Sequence, residues 1–331
     1  MNRPLVIALL LVAMIATTVG HASQQPSGNP QSNATAQSCD GACLESIVSL
    51  YLAALVAHDP TRVPVTETAK FTENTAQQKL GDGAWKTATG IGSYKVIAAD
   101  PDTGQVVFMG TLKEGAKTTM FAVRLKVTKR RIEEGETIIA RISLGGENDL
   151  IPAKLVASRP ALAEKLAASE RSSREKMISI ANSYYEGIQQ GRGDITPFGD
   201  DCHRIENGVA LTNNPSFKFA LMSPSGKQPP NIAAMGCKEQ FDTGFWATDY
   251  IDHRRFPVVD EERGLVVALT TYEAHGTEQC AEVAGFGTVC PAANAPPVTL
   301  DLAELFRIKD GKIHEMESVW TVLPYRTLPG W

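Results

Sequence analysis

The chain has 331 residues, of which 43% are apolar, 21% charged and 7% aromatic, and its formal net charge is −5. This composition is typical of a globular protein with room for two domains of about 150 residues, and it excludes fibrous and wholly disordered chains. The 37 acidic residues against 32 basic ones argue against a nucleic-acid binder, which would present a basic face.

The chain opens with a segment typical of a secretory leader. Arg3 precedes an apolar run from Leu5 to Ala16, about a dozen residues, which is too short to cross a bilayer of about 30 Å as a helix. Gly20-His21-Ala22 is an acceptable cleavage site, so residues 1–22 are expected to be a signal peptide; an uncleaved anchor is the alternative. We therefore expect a secreted or periplasmic protein without membrane insertion after cleavage. Residues 23–38 are polar and predict a flexible linker.

Two stretches of the chain repeat each other. Residues 46–74 align without a gap with residues 179–207, at an offset of 133. Further on, the segment at Gly104 matches the segment at Gly264, and the closing segments of the two copies also match. Three matches in one order predict a duplicated domain. The identical pairs of the first match are Ser46/Ser179, Ile47/Ile180, Tyr51/Tyr184, Pro64/Pro197, Glu73/Glu206 and Asn74/Asn207.

Each copy has the same order of predicted elements. A helix opens it, from Leu44 to Ala57 in the first copy and from Arg174 to Gln190 in the second. A Gly- and Pro-rich stretch ends the helix. A variable segment, longer in the second copy, and three or four strands follow. A connector at residues 146–170 joins the copies.

The predicted strands flank turn signals. Asp310-Gly311 between two strand-like runs is a strong hairpin signal. The predicted strands are Tyr94 to Ala99, Gln105 to Leu112, Phe256 to Val259, Leu265 to Tyr272, Leu302 to Ile308 and Ile313 to Val322.

The six cysteines are expected to form disulfides, because their number is even and an exported protein folds in an oxidising compartment. Six cysteines allow 15 connectivities, of which we favour nearest neighbours. A zinc site is the alternative, but the chain has no C-x-x-C pair and its histidines lack ligand spacing, so no metal is expected. The favoured pairs are Cys39–Cys43, Cys202–Cys237 and Cys280–Cys290.

The opening helix, the long sheet and the closing hairpin at residues 309–313 resemble the NTF2-like superfamily, which includes ketosteroid isomerase and the SnoaL-type polyketide cyclases. The segments Ile205-Glu-Asn-Gly208 and Leu323-Pro-Tyr325 are similar to those of an exported tandem family of fungi and bacteria, known as a domain of unknown function. The resemblance implies an α+β fold with two tandem cone-shaped domains, at residues 39–145 and 171–331. Each would be a curved antiparallel sheet with helices packed on its concave face.

The resemblance also implies where polar groups enter the cone. In ketosteroid isomerase they are a tyrosine of the first helix, a carboxylate or histidine after the next element, and a late-strand carboxylate. Each candidate has a structural alternative: a core tyrosine, a surface histidine or a turn-forming Glu-Asn pair. The positions that match are Tyr184, Tyr185, Asp201, His203, Glu206, Glu315 and Glu317.

The last strand alternates between two kinds of side chain. His314, Met316 and Trp320 are expected to share one face with Ser318, because side chains alternate along a strand, and this face resembles a pocket wall. Glu315 and Glu317 would then be solvated. This pattern favours His314 as a catalytic group.

Residues 240–255 combine aromatic and charged side chains. Asp242 and His253 would act as proton acceptors there, while Arg254 and Arg255 would clamp an anion. The alternative is an aromatic helix packed on the sheet. The first copy has fewer ionisable residues in matching places, so we expect the second copy to hold the site. The expected substrate-binding aromatic residues are Tyr185, Phe241, Phe245, Trp246, Tyr250 and Trp320.

The leading hypothesis is an exported acid/base enzyme, a lyase or isomerase without cofactor, acting on a small apolar or aromatic molecule. His203, Asp242, His253 and His314 are the candidate bases, and Tyr184 would stabilise an oxyanion. The alternatives are a non-catalytic binder of a small hydrophobic ligand and a structural or interaction module. Pairing of the two domains within one chain and formation of a homodimer both stay open. An enzyme requires a base and an oxyanion donor around one enclosed point.

Overall fold

The computed structural model describes residues 39–141, 151–246, 250–276, 280–291 and 296–331. The predicted signal peptide, the predicted linker and residues 142–150 lie outside the described residues. The domain boundaries expected from the sequence stay predictions. We call the chain up to residue 141 the N-terminal half and the chain from residue 171 the C-terminal half.

The N-terminal half begins with helix α1 (Gly41–Val56). Its first turn is capped by Asp40, whose side chain accepts a hydrogen bond from the Cys43 amide at 2.9 Å. Leu44 and Leu55 are buried on the face that packs against the sheet. The other elements are β1 (Val65–Glu73), β2 (Ala76–Gln78), α2 (Ala84–Thr87), β3 (Ala88–Asp100), β4 (Gln105–Glu114), β5 (Lys117–Thr128) and β6 (Arg131–Ile139). The strand order is β2-β1-β6-β5-β4-β3.

The connector carries a short α-helix, α3 (Ile151–Lys154), and two 3-10 turns at Pro160–Leu162 and Ala168–Glu170. The C-terminal half then begins with helix α4 (Arg174–Gln190), at the predicted bounds, and Gly191 ends it with a left-handed φ of 62°. The other elements are β7 (Phe198–Glu206), β8 (Val209–Ala210), β9 (Leu221–Met222), α5 (Cys237–Asp242), β10 (Tyr250–Asp260), β11 (Leu265–Ala274), β12 (Ala281–Val283), β13 (Gly287–Pro291), β14 (Val298–Lys309) and β15 (Lys312–Pro324). The main sheet has the order β10-β11-β14-β15-β7-β8.

Each main sheet combines antiparallel neighbours with one parallel pair. β1 runs parallel to β6, and β7 runs parallel to β15. The expected antiparallel sheet is therefore correct except at this pair. The exception arises because the first long strand of each half reaches the last strand through a crossover and not through a hairpin. The α+β fold with two similar halves is confirmed.

The duplication is visible in the strand registers. Glu73 lies opposite Thr137 in the N-terminal sheet, and Glu206 lies opposite Ser318 in the C-terminal sheet. In the C-terminal half, β9 of the longer variable segment joins β12 and β13, which lie between β11 and β14, in a small sheet of order β12-β13-β9 with its own hydrophobic cluster. Equivalent positions of the two main sheets can therefore be assigned strand by strand.

The two main sheets pack against each other through the faces that helices α1 and α4 leave free. One hydrophobic cluster combines residues from both halves, which means that the halves pair within one chain. Its members include Val96, Val107, Met109, Met120, Ile138, Val258, Val267, Leu305 and Val319. We call this side of each sheet the outer face, and the side covered by α1 or α4 the inner face.

All six cysteines are paired, and the predicted connectivity is confirmed. The disulfides join Cys39 to Cys43, Cys202 to Cys237 and Cys280 to Cys290. Three disulfides indicate folding in an oxidising compartment. Within the described ranges, no helix combines the length and the apolar character needed to cross a membrane.

Candidate functional site

A buried carboxyl group lies at the centre of the inner face of the C-terminal sheet. Along β14, Leu302, Glu304 and Phe306 point to the inner face, because alternate residues pack into the cluster that contains α4. Glu304 is only 1% exposed. A carboxyl group in such a place requires hydrogen-bond partners, since burial without them costs several kcal/mol.

Three hydroxyl groups donate hydrogen bonds to Glu304. Tyr185 of α4 and Thr270 of β11 donate to Oε2 at 2.7 and 2.9 Å, and Tyr272 of β11 donates to Oε1 at 3.1 Å. The helix and the neighbouring strand thus hold the carboxyl group from two sides.

Burial raises the pKa of Glu304 to about 7, against the lowering effect of the hydroxyl groups and with a further rise from the charge of Glu206. Burial and the neighbouring Glu304 also raise the pKa of Tyr185 well above its usual value, so this hydroxyl stays protonated. Near neutral pH, Glu304 can therefore both accept and release a proton.

A buried guanidinium lies on the same inner face, on β7, which β15 separates from the strand of Glu304. Arg204 of β7 donates from Nε to the Tyr184 hydroxyl at 2.9 Å, and from its two terminal nitrogens to Gln240 at 2.6 Å and Glu206 at 2.8 Å. Its guanidinium carbon lies 5.1 Å from the centre of the Trp246 ring. These contacts neutralise a charge that would be costly to bury alone.

Helix α5 is positioned by a covalent bond. The disulfide between Cys202 and Cys237 ties α5 to β7, two residues before Arg204. Gln240 of the same helix accepts from Arg204 and donates to the backbone carbonyls of Leu211 and Ile232. The disulfide thus fixes a partner of the buried arginine.

The inner face becomes more exposed towards one end of the sheet. Phe306 is fully buried, Leu302 is 4% exposed, and Leu300 is only partly buried. On β15, Trp320 is partly buried and Val322 is 43% exposed. We call Leu300, Trp320 and Val322 the apolar rim.

Several predicted site residues, one catalytic (Tyr184) and the others substrate-binding, come together on this face. Tyr184, Tyr185 and Phe241 are fully buried in its core, with Trp246 and Trp320 partly buried beside them. Aromatic side chains therefore fill the interior at the α4 end. The family resemblance had instead led us to expect a hollow cone there.

The other predicted aromatic and basic residues lie around this core. Phe245 packs in the small-sheet cluster, with its ring centre 5.3 Å from that of Trp246. Arg254 lies over the Tyr185 ring at 5.2 Å and pairs with Glu186 of α4. Tyr250 is 53% exposed.

Three of the predicted catalytic residues lie away from Glu304. Asp242 accepts from the Gly193 amide at 2.7 Å and pairs with Lys238. The exposed His253 contacts the Thr271 hydroxyl at 3.0 Å. His203 lies opposite Glu315, on the outer face of the sheet.

His314 is displaced by a bulge. Ile313 and Met316 both pack into the inner core, so two residues lie between them and the expected alternation is broken. The prediction that His314 shares the face of Met316 and Trp320 is therefore wrong. Its Nδ1 instead contacts Asp201 of β7 at 2.5 Å, at the sheet edge.

The prediction that Glu315 and Glu317 are solvated is also wrong. They are 6% and 2% exposed, because the outer face of β15 packs against the N-terminal half. Arg159 donates to Glu315 at 2.9 Å, and Tyr94 of β3 donates to Glu317.

Glu304 and Arg204 are the functional candidates that our sequence analysis missed. Glu304 stands at an alternate position of an otherwise apolar run, between Leu302 and Phe306, and that pattern could have revealed it. Arg204 aligns with Phe71 in the sequence repeat, an exchange of an apolar for a charged residue.

The N-terminal half has the same inner face without counterparts of Glu304 and Arg204, although Glu73 stands where the C-terminal half has Glu206. Val123 lies opposite Thr137 as Glu304 lies opposite Ser318, and Val123 is fully buried. The registers of β4 and β11 give the remaining equivalences. The exchanges from the N-terminal to the C-terminal half are Val123 to Glu304, Gly110 to Thr270, Leu112 to Tyr272, Leu52 to Tyr185 and Phe71 to Arg204.

One comparison with known protein families matches the C-terminal half of the chain. A family model described as a domain of unknown function (DUF8021) matches residues 170–320. This range begins at the last residue of the connector and otherwise lies in the C-terminal half. A comparison with curated proteins gives no match.

Solved structures similar to part of the chain include an NTF2-like protein from Cytophaga hutchinsonii, with 12% identity over 46% of this chain and 99% of that chain, at a TM-score of 0.25. A protein classed as a SnoaL-like polyketide cyclase, from Jannaschia sp. CCS1, has 15% identity over 47% of this chain and 90% of that chain, at a TM-score of 0.27. A protein of unknown function with a cystatin-like fold, from Methylobium petroleophilum, has 16% identity over 33% of this chain and 83% of that chain, also at a TM-score of 0.27.

Proposed function

We propose that the C-terminal half is a cofactor-independent acid/base catalyst, of isomerase or lyase type, that acts on a small and mostly apolar molecule. Glu304 is the proposed proton acceptor and donor. We also propose that the chain is exported, as its leader-like start and its three disulfides favour.

The difference between the two halves carries this proposal. The N-terminal half builds the same inner face with Val123 and Phe71 where the C-terminal half has Glu304 and Arg204. The fold therefore does not require the charged groups, and burying them costs free energy that apolar residues avoid. Selection for chemistry explains why they are present in one half alone.

The proposed step is a proton transfer at carbon. Ionised Glu304 takes a proton from a carbon next to a carbonyl group, and the electrons of the broken C–H bond move towards the carbonyl oxygen. Neutral Glu304 then returns the proton as these electrons move back from the oxygen, either to the same carbon or, where a C=C bond adjoins, to the far carbon of that bond. Atoms and charge balance without a further reactant. The pKa of about 7 suits both directions of transfer at neutral pH.

The surroundings of Glu304 favour an apolar substrate. The face around it consists of aromatic and aliphatic side chains, and its exposed end is the apolar rim of Leu300, Trp320 and Val322. Apolar walls with few polar groups are typical of sites for small molecules.

Solvent deuterium exchange tests the proposal. The oxidised full chain is incubated in deuterated buffer with 2-acetylnaphthalene, an apolar ketone, and label at the carbon beside the carbonyl is measured by mass spectrometry. We expect catalysed exchange that Glu304→Gln lowers by at least about 100-fold.

Asp301→Asn is the matched control, because Asp301 is a buried carboxyl group of the same strand that lies on the outer face. It should leave exchange unchanged. Wild-type protein that binds the ketone without exchanging it would instead support a non-catalytic binding protein, and absence of both would support an interaction module.

A further inference from the structure

Ser318 carries a buried hydroxyl group without a hydrogen-bond partner. The residue is 2% exposed, and its Oγ has no partner among the described residues. No described protein group replaces the hydrogen bonds that this hydroxyl makes to water in the unfolded chain. A binding site explains this arrangement, because the missing partner can come from a ligand.

The hydroxyl lies on the inner face between two carboxyl groups. Ser318 of β15 stands directly opposite Glu304 of β14 on one side and Glu206 of β7 on the other. Cross-strand neighbours of this kind share a face, with Cβ atoms about 5 Å apart.

Both carboxyl groups already have their own donors. Glu206 accepts from Arg204 at 2.8 Å and from the Trp320 indole at 3.1 Å, while Glu304 is held by its three hydroxyl groups. The Ser318 hydroxyl thus stays without a partner among the described residues, while the carboxyl groups on both sides of it have theirs.

The N-terminal half again supplies the contrast. Thr137 is the equivalent of Ser318, and its interaction with the Tyr51 hydroxyl lowers the pKa of that tyrosine. In the C-terminal half the equivalent tyrosine, Tyr184, accepts from Arg204 instead. The arrival of Arg204 thus accompanies the loss of the partner that this hydroxyl has in the other copy.

We propose that Ser318 donates a hydrogen bond to the carbonyl oxygen of a small neutral ketone or aldehyde, whose apolar body lies towards the rim of Leu300, Trp320 and Val322. This assignment rests on the proposed function and names its substrate class. The carboxylates on both sides disfavour an anionic ligand, since like charges repel strongly where water is excluded. A neutral acceptor oxygen fits a lone hydroxyl donor.

A pair of probes that differ in one oxygen tests this assignment without turnover. 2-Acetylnaphthalene has the carbonyl group, and 2-ethylnaphthalene has nearly the same shape without it. Binding of each to the full chain is followed by quenching of tryptophan fluorescence. We expect the wild type to prefer the ketone by about 3- to 10-fold, the value of one net hydrogen bond.

Ser318→Ala should remove this preference and leave 2-ethylnaphthalene binding unchanged, while Ser318→Thr should restore it. Ser183→Ala, which removes a hydroxyl bonded to the Ile180 carbonyl of α4, should keep the wild-type preference. An unchanged ratio in Ser318→Ala overturns the assignment, and so does a wild type that binds neither probe.

The two proposals fail separately. If Glu304→Gln abolishes exchange while Ser318→Ala keeps the ketone preference, only the role of Ser318 is lost. If the ketone preference depends on Ser318 but no exchange occurs, the carbonyl site stands and the catalytic role of Glu304 falls.

Discussion

Glu136 and Glu317 occupy equivalent positions on the last strands of the two sheets, and each accepts hydrogen bonds from the opposite half. Arg255 donates to the two oxygens of Glu136 at 3.0 and 2.6 Å, and Tyr94 donates to Glu317. The outer face of one sheet therefore contacts the equivalent face of the other sheet, as in an isologous dimer. The two halves of the chain therefore pair as the subunits of a two-fold dimer do.

Stability should fall as the pH rises from about 4.5 to 8. Burial raises the pKa of Asp301 and Glu304 to about 7, and burial together with the charge of Glu315 raises that of Glu317 to about 8. The folded state thus binds protons that the unfolded chain has released, and each group contributes a slope of up to about 1.4 kcal/mol per pH unit. Thermal unfolding from pH 4 to 9 measures this.

Glu317→Gln is the control for that prediction. The amide cannot ionise, so the variant should gain stability relative to the wild type at pH 8.5 and not at pH 4. A wild type that grows more stable across this range would contradict the assignment of buried neutral acids.

Exchange of 2-acetylnaphthalene should rise with pH and reach half of its maximum near pH 7, because ionised Glu304 is the base. Glu206→Gln removes a negative charge that raises the pKa of Glu304, so the midpoint should move to lower pH. Initial rates from pH 5 to 9 measure this. A midpoint that Glu206→Gln leaves in place would argue against coupling of the two groups.

Loss of the Cys202–Cys237 disulfide should destabilise the chain more than loss of the Cys39–Cys43 disulfide. The Cys202–Cys237 bond joins residues 35 positions apart, and the Cys39–Cys43 bond joins residues 4 positions apart. For these separations, chain entropy predicts stabilisation by about 4 and about 2 kcal/mol. Double Cys-to-Ser variants compared by urea unfolding test this. Only the first should also weaken binding of 2-acetylnaphthalene, because it positions Gln240 against Arg204. Equal losses in both variants would contradict this order.

Arg204→Ala should cost about 3–5 kcal/mol of unfolding free energy, because it leaves Glu206 and Gln240 without their charged partner inside the protein. Arg192→Ala removes an exposed pair with Asp194 and should cost less than about 1 kcal/mol. Denaturant unfolding of both variants gives the comparison. Similar values for the two would mean that the buried network contributes little.

Ser318→Ala should leave stability unchanged or raise it by up to about 1 kcal/mol, although the residue is buried, because its hydroxyl has no partner to lose. Thr137→Ala in the N-terminal half should instead destabilise, since it removes the interaction of that hydroxyl with Tyr51. Calorimetry of the two variants distinguishes these outcomes. A clear loss in Ser318→Ala would reveal a hydrogen bond that the structure lacks.

Local patterns sufficed for much of the fold. The periodicity of α4 gave its bounds, from Arg174 to Gln190, and Asp310-Gly311 gave the closing hairpin, because helix period and turn chemistry depend on neighbouring residues. Sequential spacing also gave the disulfides.

The errors arose where distant segments decide the outcome. Glu315 looked solvated because its strand alone does not show that the N-terminal half covers it. His314 does not share the face of Met316 because a bulge interrupts the alternation, and only the register of β15 with β7 and β14 reveals this bulge. Glu304 stands out only beside Val123, its counterpart in the other copy, and this equivalence depends on strand registers between distant segments.

The face-to-face contact of the two sheets makes their association independent of dilution. Two separate subunits dissociate when they are scarce, whereas two halves of one polypeptide meet at a fixed, high effective concentration. Each copy is also free to change alone, since a substitution in one is not repeated in the other. A single gene product could thus keep one copy as scaffold while the other acquired ionisable groups.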